Sequence, residues 1–199
     1  MSELKEYIRE FLLRNRSGAL TDVYSVTNSE GFVLSTDYFK KEVFSKDLTS
    51  YKVVRPGMLA YNPSRINVRS VDCLALDHDV IVSPLYVVFE TDRTRLLPEY
   101  LNLFLHSSIA LGQIKSLTAG SVRDSLKFSA LGRLLLKIPT LDQQAELLAK
   151  AKAIRNLISS REKQLDKLDQ LVKSRFVEMF GDATFPMATM QDVCRIITD

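Results

Sequence analysis

The chain has 199 residues, with 27 lysines and arginines against 24 aspartates and glutamates, and 46% of its residues are hydrophobic. This composition supports a folded core and excludes a disordered or fibrous protein. No apolar run approaches the ~20 residues that span a bilayer, and the charged N-terminus lacks the apolar region of a signal peptide. The two cysteines, Cys73 and Cys194, are far apart and form no CxxC pair. We therefore expect a cytoplasmic protein with no membrane association, no disulfide framework and no zinc ribbon.

The first part of the chain predicts one helix followed by several strands. Residues 3–13 place apolar side chains at helical spacing, which predicts an amphipathic helix. Residues 23–34 and 51–61 each predict a strand, a turn and a second strand. Residues 71–76 and 80–90 predict further strands.

Helices and strands continue to alternate up to Pro139. The segment Pro98–Ala110 begins with a proline, which suits a helix start, and has apolar spacing after it. Residues 121–132 predict a short helix and residues 134–139 a final buried strand. Because these elements alternate without a repeating βαβ rhythm, the sequence predicts an irregular α+β domain over residues 1–139.

The chain changes character after this domain. Thr140 and Gln143 form a capping box, which is typical of a helix start. No glycine or proline follows until Gly181. We therefore predict one long helix over residues 140–181, about 60 Å in length at ~1.5 Å per residue.

Apolar residues of this helix recur on the 4,3 spacing of a coiled coil. The central positions of this apolar stripe are Ile154, Ile158, Leu165, Leu168 and Val172. One interpretation is that the helix packs along its own domain. A domain of this length is only ~30 Å across by compactness scaling, however, so it cannot cover the whole helix. We predict that these five residues form a dimer interface with the same helix of a second chain.

Basic residues cluster in two segments, 52–69 and 115–137. The first contains no acidic residue and the second contains only Asp124. Two such segments in a nearly neutral chain indicate one local face for an anionic partner, although solvated surface residues would give the same pattern.

Motifs of common enzymes are missing from the sequence, which has no Walker A, HExxH, GxSxG or glycine-rich dinucleotide loop. Asp77-His78-Asp79 offers metal-binding side chains, but a single histidine between two acids is more typical of a solvated turn. Tyr61-Asn62-Pro63-Ser64 partly matches the Asn-Pro-Pro-aromatic motif of amino-methyltransferases, yet no glycine-rich loop precedes it. We therefore expect no catalytic residue, metal or cofactor.

Three strings of the sequence resemble the specificity subunit of type I restriction–modification enzymes. Residues 138–144 (IPTLDQQ) open a helix that runs to Phe180-Gly181-Asp182, and this junction is similar to the one before the family's conserved helix. Residues 118–128 (TAGSVRDSLKF) are similar to the end of the family's target recognition domain, and residues 61–68 (YNPSRINV) to its middle. The resemblance covers about residues 20–199.

The resemblance implies separate roles for the domain and for the long helix. Residues 1–139 would form a target recognition domain that reads one half of a split DNA sequence. Residues 140–181 would form the conserved helix, which pairs antiparallel in this family and docks methyltransferase subunits and, through them, the restriction subunit. The specificity subunit is not catalytic. A complete member usually has two such domains and two helices, so this chain resembles a half-subunit, either a natural short form or a fragment.

One departure from the family concerns its opening strand, x-L-G-D-V-C-x-I. Residues 1–20 do not match this strand, whereas residues 190–197 (MQDVCRII) do. We therefore expect a strand of a recognition domain within residues 182–199. Either the chain is cut inside a second domain, or this segment completes a domain of its own or of a partner chain.

Candidate DNA-binding residues come from the two basic segments. Arg65 and Asn67 are two residues apart in what we expect to be an extended loop, so both could face the bases, where Arg forks onto guanine and Asn onto adenine. The full candidate set is Arg65, Asn67, Arg69, Lys115, Ser121, Arg123 and Lys127. Double-stranded DNA is the expected partner. The alternatives are a protein-binding adaptor on a coiled-coil stalk and a hydrolase that uses Asp77, His78 and Asp79.

Overall fold

The computed structural model describes residues 1–38, 45–118, 125–181 and 188–189. The chain divides into two compact units, Met1–Lys150 and Ala151–Asp199. All strands of the described residues lie in the first unit, together with the first residues of the last helix. The rest of that helix forms most of the described part of the second unit.

The first unit has the mixed α+β fold that the sequence predicts. Its strands are β1 (Ser2–Glu3), β2 (Ile8–Glu10), β3 (Val23–Thr27), β4 (Gly31–Leu34), β5 (Lys52–Val54), β6 (Leu59–Tyr61), β7 (Val71–Cys73), β8 (Val80–Val82), β9 (Val87–Thr91) and β10 (Leu135–Leu136). The α-helices of the whole described chain are α1 (Ser35–Tyr38), α2 (Pro98–Leu105), α3 (Ser108–Thr118), α4 (Phe128–Leu131) and α5 (Leu141–Phe180), and two 3₁₀ helices cover Leu4–Glu6 and Ile66–Val68.

Two four-stranded sheets form the frame of this unit. The first sheet is antiparallel, in the order β2-β9-β6-β7. The second has the order β4-β3-β8-β5, and only its β3–β8 pair is parallel. Strands β1 and β10 pair separately, which joins the start of the chain to the segment before α5.

The first sheet is buried on both faces. Leu59, Tyr61 and Phe89 belong to one apolar cluster, whereas their neighbours Ala60 and Val88 belong to another. Successive side chains of a strand point to opposite faces, so β6 and β9 contribute to both clusters. The first cluster also takes in Leu101, Leu105 and Ile114 of α2 and α3, and the second takes in Val26, Val54, Val80 and Val82 of the second sheet. The unit therefore has three layers, with helices, the first sheet and the second sheet in that order.

The helix predicted for residues 3–13 is wrong. This segment forms β1, a 3₁₀ turn and β2 instead. Leu4 and Tyr7 are buried in the first cluster, and Arg9 pairs with Glu90 across the ladder from β2 to β9, with its guanidinium 2.5 Å from the carboxylate. Pairing with a strand 80 residues later in the chain therefore overrides the local helical spacing.

The remaining predicted strands are present, with differences at their ends. Residues 23–34 form the β3–β4 hairpin, but the turn at Pro56-Gly57 carries the chain from one sheet to the other. Residues 80–90 hold two strands, because Ser83–Tyr86 interrupts the run. The final strand at 134–139 shortens to β10.

The two predicted helices of the domain also change at their ends. The helix expected over Pro98–Ala110 divides at His106-Ser107 into α2 and α3. The short helix expected within 121–132 is α4, and residues 119–124 lie outside the described residues.

The long helix begins and ends where its sequence signals predict. The Gln143 amide oxygen accepts the backbone N–H of Thr140 at 3.2 Å, and the Thr140 hydroxyl accepts that of Gln143 at 3.4 Å, which completes the capping box. Helix α5 then continues to Phe180, one residue before Gly181. Residues 190–197 of the expected C-terminal strand segment lie outside the described residues.

Gln144 fastens the first turn of α5 to the first unit. Its side chain is fully buried. The amide oxygen accepts the backbone N–H of Leu97 at 2.9 Å, and the amide nitrogen donates to the carbonyls of Arg95 and Pro139, each at 2.9 Å. This contact explains why the compact unit extends past Pro139 to Lys150.

Candidate nucleic-acid interface

The loop from Asn62 to Ser70 carries the first three candidate residues and is compact. Asn62 begins it with an Asx turn, in which its side-chain oxygen accepts the backbone N–H of Ser64 at 3.0 Å. Ile66 anchors the following 3₁₀ helix in the first apolar cluster. The carbonyl of Arg65 accepts the backbone N–H groups of Val68 and Ser70 at 3.1 and 3.2 Å. These bonds fix the loop without a strand.

The extended loop expected around Arg65 and Asn67 is wrong. Arg65 is the N-cap of the 3₁₀ helix, and Asn67 lies in its middle. Such a helix has about three residues per turn, so residues i and i+3 share a side whereas i and i+2 do not. Arg65 therefore shares its side with Val68, and Asn67 points in another direction.

Arg69 follows this helix in an unusual backbone conformation. Its φ of 66° and ψ of 30° lie in the left-handed region, which costs an L-residue about 1–2 kcal/mol. Its Nε is buried and makes no hydrogen bond in the described part of the chain. Arg69 thus carries two costs at a position where glycine would fit without strain.

The second basic segment meets this loop through Leu126. The backbone N–H of Leu126 donates to the carbonyl of Pro63 at 3.0 Å, and the Tyr61 hydroxyl donates to the Leu126 carbonyl at 3.0 Å. Burial raises the pKa of Tyr61, so its hydroxyl stays protonated as a donor. These bonds place Lys127, which is exposed, next in sequence to the point of contact.

Helix α3 approaches the same loop. It packs against the 3₁₀ helix Ile66–Val68, and Lys115 is exposed in its last turn. The other two candidates, Ser121 and Arg123, lie outside the described residues. The structure therefore brings parts of the two basic segments together, and an anion-binding face there stays a prediction.

Other basic residues of the two segments have contacts elsewhere. Lys52 donates to the carbonyl of Tyr86 at 2.6 Å, and burial lowers its pKa. Arg55 lies 3.8 Å from an Asp79 carboxylate oxygen and 5.3 Å from the ring centroid of Phe11. These two cations stabilise the folded domain and were not among the candidate DNA-binding residues.

A small cavity adjoins Arg65 on the side of the β3–β4 hairpin. Its volume is about 80 Å³, and its lining includes Asn28 of the hairpin turn together with Asn62 and Val68 of the loop. We call it the Arg65 cavity. Sequence reasoning missed Asn28 because the hairpin lies far from both basic segments in the chain.

The acidic turn between β7 and β8 does not assemble a metal site. The Asp77 carboxylate lies 3.0 Å from the His78 Nδ1, and Asp79 faces Arg55. Across the described ranges, no group of three or more His, Cys, Asp or Glu side chains could hold a metal ion.

The predicted stripe of α5 is exposed along the second unit. Ile154, Ile158, Leu165, Leu168 and Val172 expose between 52% and 68% of their surface. Farther along, the rings of Phe176 and Phe180 lie 4.9 Å apart and are also exposed. Despite these residues, no helix in the described part of the chain is long and apolar enough to cross a membrane.

The fold matches two solved structures. The match to the HsdS subunit from Thermoanaerobacter tengcongensis covers 94% of this chain and 50% of that subunit, with a TM-score of 0.62 and 17% sequence identity. A second match, to a structure concerning complex assembly and conformational transition of the type I R-M system, covers the same shares at a TM-score of 0.63 and 16% identity. No protein-family model and no curated protein matches the sequence. The resemblance is confirmed at the level of the fold, and the chain spans about half the length of the two structures.

Proposed function

We propose that this chain is a non-catalytic DNA-specificity subunit of a type I restriction–modification enzyme, acting in the cytoplasm. The observation that carries the proposal is the fold match to an HsdS subunit over 94% of the chain. Because the chain spans half of that subunit, we assign it one target recognition domain, residues 1–139, and one conserved helix, residues 140–181. The remaining residues, 182–199, would supply a strand of a recognition domain.

The recognition domain would bind double-stranded DNA through the Arg65 loop and the segments that meet it. Arg65 is exposed beside a cavity and is suited to reading a base edge. Lys115 and Lys127 are suited to phosphate contacts, which position a protein on DNA without reading its sequence. Asn67, Arg69, Ser121 and Arg123 complete the proposed DNA-binding set.

The helix would serve assembly. Its exposed stripe would pair antiparallel with the same helix of a second chain, and the same helices would dock methyltransferase subunits and, through them, the restriction subunit. A two-fold axis then requires a symmetric target. We expect an interrupted palindrome, with a short half-site, a spacer without base preference and the inverted half-site.

Sequencing of methylated sites tests this function. The full chain is combined with its methyltransferase and a random DNA library, and the methylated sites are read. Arg65→Ala should relax the choice at one position by about 1–3 kcal/mol, whereas Lys127→Ala should weaken all sequences alike and reduce the salt dependence. Arg9→Ala is the matched control, because Arg9 lies on β2 at the opposite edge of the sheet from β7.

Two results would contradict the proposal. Methylation that ignores sequence would exclude a specificity subunit, and binding to protein but not to DNA would favour an adaptor.

Deleting residues 161–167 gives a second test, because one heptad shortens the helix by ~10 Å and keeps the stripe in register. At about 3.4 Å per base pair, the preferred spacer should shrink by roughly three base pairs.

A further inference from the structure

The turn of the β3–β4 hairpin forms one wall of the Arg65 cavity. Asn28 is the exposed turn residue that lines it, and Asn62, Arg65 and Val68 line the opposite wall. The cavity thus joins a turn that carries no basic residue to the loop that carries the strongest candidate DNA contact.

Both walls are fixed to the same strand. The Ser70 hydroxyl at the end of the Arg65 loop donates to the carbonyl of Val26 in β3 at 2.6 Å. The backbone N–H of Val26 donates in turn to the Tyr86 hydroxyl at 3.2 Å. Because all three groups are buried, the base of the cavity cannot rearrange without loss of these bonds.

Hydrogen bonds inside the hairpin turn and the neighbouring Asp72 carboxylate also fix the turn. The Thr27 hydroxyl donates to the Gly31 carbonyl at 3.3 Å and accepts the N–H of Glu30 at 3.0 Å. Gly31 has a φ of +67°, and a Cβ there would lie 1.9 Å from an Asp72 carboxylate oxygen. That oxygen accepts the N–H of Phe32 at 3.2 Å. The turn therefore presents Asn28 from a rigid support, as a selective binding site requires.

The cavity has the chemistry of a base-edge reader. Arg65 supplies a guanidinium fork, and Asn28 and Asn62 supply amides that donate and accept. No carboxylate of the described residues lines the cavity, so the guanidinium has no competing anion within it. The cavity is small, at about 80 Å³, and we expect it to admit the edge of a base.

We propose that the β3–β4 turn is part of the DNA-reading surface and that Asn28 acts with Arg65 on the major-groove edge of one purine. This inference rests on the proposed DNA-specificity function. Arg reads the O6 and N7 of guanine, and Asn reads the N6 and N7 of adenine. Purine N7 is the acceptor common to both pairs, so the cavity selects a purine at one position of the half-site.

Removal of single N7 atoms from the DNA tests the assignment. The half-site is first identified by methylation with the full chain and its methyltransferase. Each purine is then replaced in turn by its 7-deaza analogue, and binding of the full complex is measured. For the wild type, the analogue should weaken binding roughly 5- to 150-fold at the position read by the cavity, the range of a bidentate base contact.

Variants assign that position to the cavity. In Asn28→Ala and in Arg65→Ala the penalty of the 7-deaza analogue should fall at the same position, and the base choice there should relax. Arg9→Ala is the control, because Arg9 is exposed on β2, at the opposite edge of the first sheet from β7 and outside both basic segments. Circular dichroism confirms that each variant is folded.

The possible failures are distinguishable. If Arg65→Ala relaxes one position and Asn28→Ala binds every analogue as the wild type does, the turn is not a reading element and the proposed function stands. If the two variants act at different positions, the shared purine is wrong. If the wild-type complex shows no sequence preference, the proposed function itself fails.

Discussion

The two units of this protein differ in whether their large apolar side chains are buried or exposed. Leu59 and Phe89 of the first unit are fully buried, whereas Leu165 and Leu168 of the second expose more than half of their surface. The first unit therefore completes its own apolar core. The second unit presents an exposed apolar stripe, which on a protein surface marks an interaction site.

The difference lies in what each sequence pattern requires. Strands β6 and β9 carry apolar residues on both faces, and the sheet and helices around them cover both. Helix α5 has a stripe on one side and charged residues elsewhere, a pattern that a second helix can cover. An isolated helix gains little stability from propensity alone, so we expect the stripe to depend on a partner.

The largest expected effect comes from the stripe. Leu165→Asp with Leu168→Asp should convert a dimer to a monomer at tens of micromolar. Burial of each leucine contributes about 1.5–3 kcal/mol, and two leucines per chain are lost. Charges in their place would also be buried against apolar partners. Light scattering at several concentrations measures the change.

A control separates position from charge. Asn156→Asp with Gln170→Asp adds the same two charges at positions opposite the stripe, and this variant should remain a dimer. A wild-type monomer at tens of micromolar would contradict the interface, as would a stripe variant that associates like the control.

The second prediction concerns the first turn of α5, which lies within the first unit. Gln144→Ala should lower the free energy of unfolding by about 2–4 kcal/mol, because it leaves the N–H of Leu97 and two carbonyls without their partner. Urea unfolding at fixed protein concentration measures the loss. Gln143→Ala, which removes only one bond of the capping box, should cost about 0.5–1 kcal/mol. Equal losses would show that Gln144 does not fasten the helix to the domain.

The sequence predicts best those features that local signals determine. Thr140, Gln143 and Gly181 mark the ends of α5, and its interior contains no residue that breaks a helix. The β3–β4 hairpin is equally local. Both signals act within a few residues, so neither depends on distant parts of the chain.

The wrong predictions concern segments whose structure depends on pairing with distant parts of the chain. Residues 3–13 have helical spacing, but Leu4 and Tyr7 are buried by the domain core and β2 pairs with β9. One signal within the chain could have corrected this prediction. Residues 4–9 (LKEYIR) match 190–195 (MQDVCR) position by position in apolar, polar, acidic and basic type, and residues 190–197 predict an opening strand.

The candidate site shows the same limit. Arg65 and Lys127 could be selected from charge patterns, but the bond between Pro63 and Leu126 that brings their segments together spans 63 residues of sequence. Asn28 lines the Arg65 cavity, and the Ser70 hydroxyl joins the Arg65 loop to β3 beside it. No local pattern carries that information.

The third prediction tests whether the first unit is optimised for stability throughout. Arg69→Gly should raise the free energy of unfolding by about 1 kcal/mol, because it removes the strain of a left-handed residue and is offset in part by the flexibility of glycine in the unfolded chain. Arg69→Ala keeps the backbone strain, so it should raise the free energy of unfolding by less. Both variants should bind DNA more weakly. A less stable glycine variant would show that Arg69 supports the fold instead.

The smallest effect concerns Tyr61, whose hydroxyl joins the two basic segments. Tyr61→Phe should lower the free energy of unfolding by about 1 kcal/mol near neutral pH, the net value of one hydrogen bond. Burial raises the pKa of this hydroxyl in the folded protein, whereas in the unfolded chain it ionises near pH ~10. Ionisation of Tyr61 above pH 10 therefore favours the unfolded state of the wild type and cannot occur in the variant. The excess free energy of unfolding of the wild type over Tyr61→Phe should then fall by about 1.4 kcal/mol per pH unit. The other tyrosines are the same in both proteins, so they cancel in the comparison. Paired urea titrations at pH 8 and pH 11 measure the two differences. A constant difference would mean that the Tyr61 hydroxyl reaches solvent and does not hold Leu126 against the Arg65 loop.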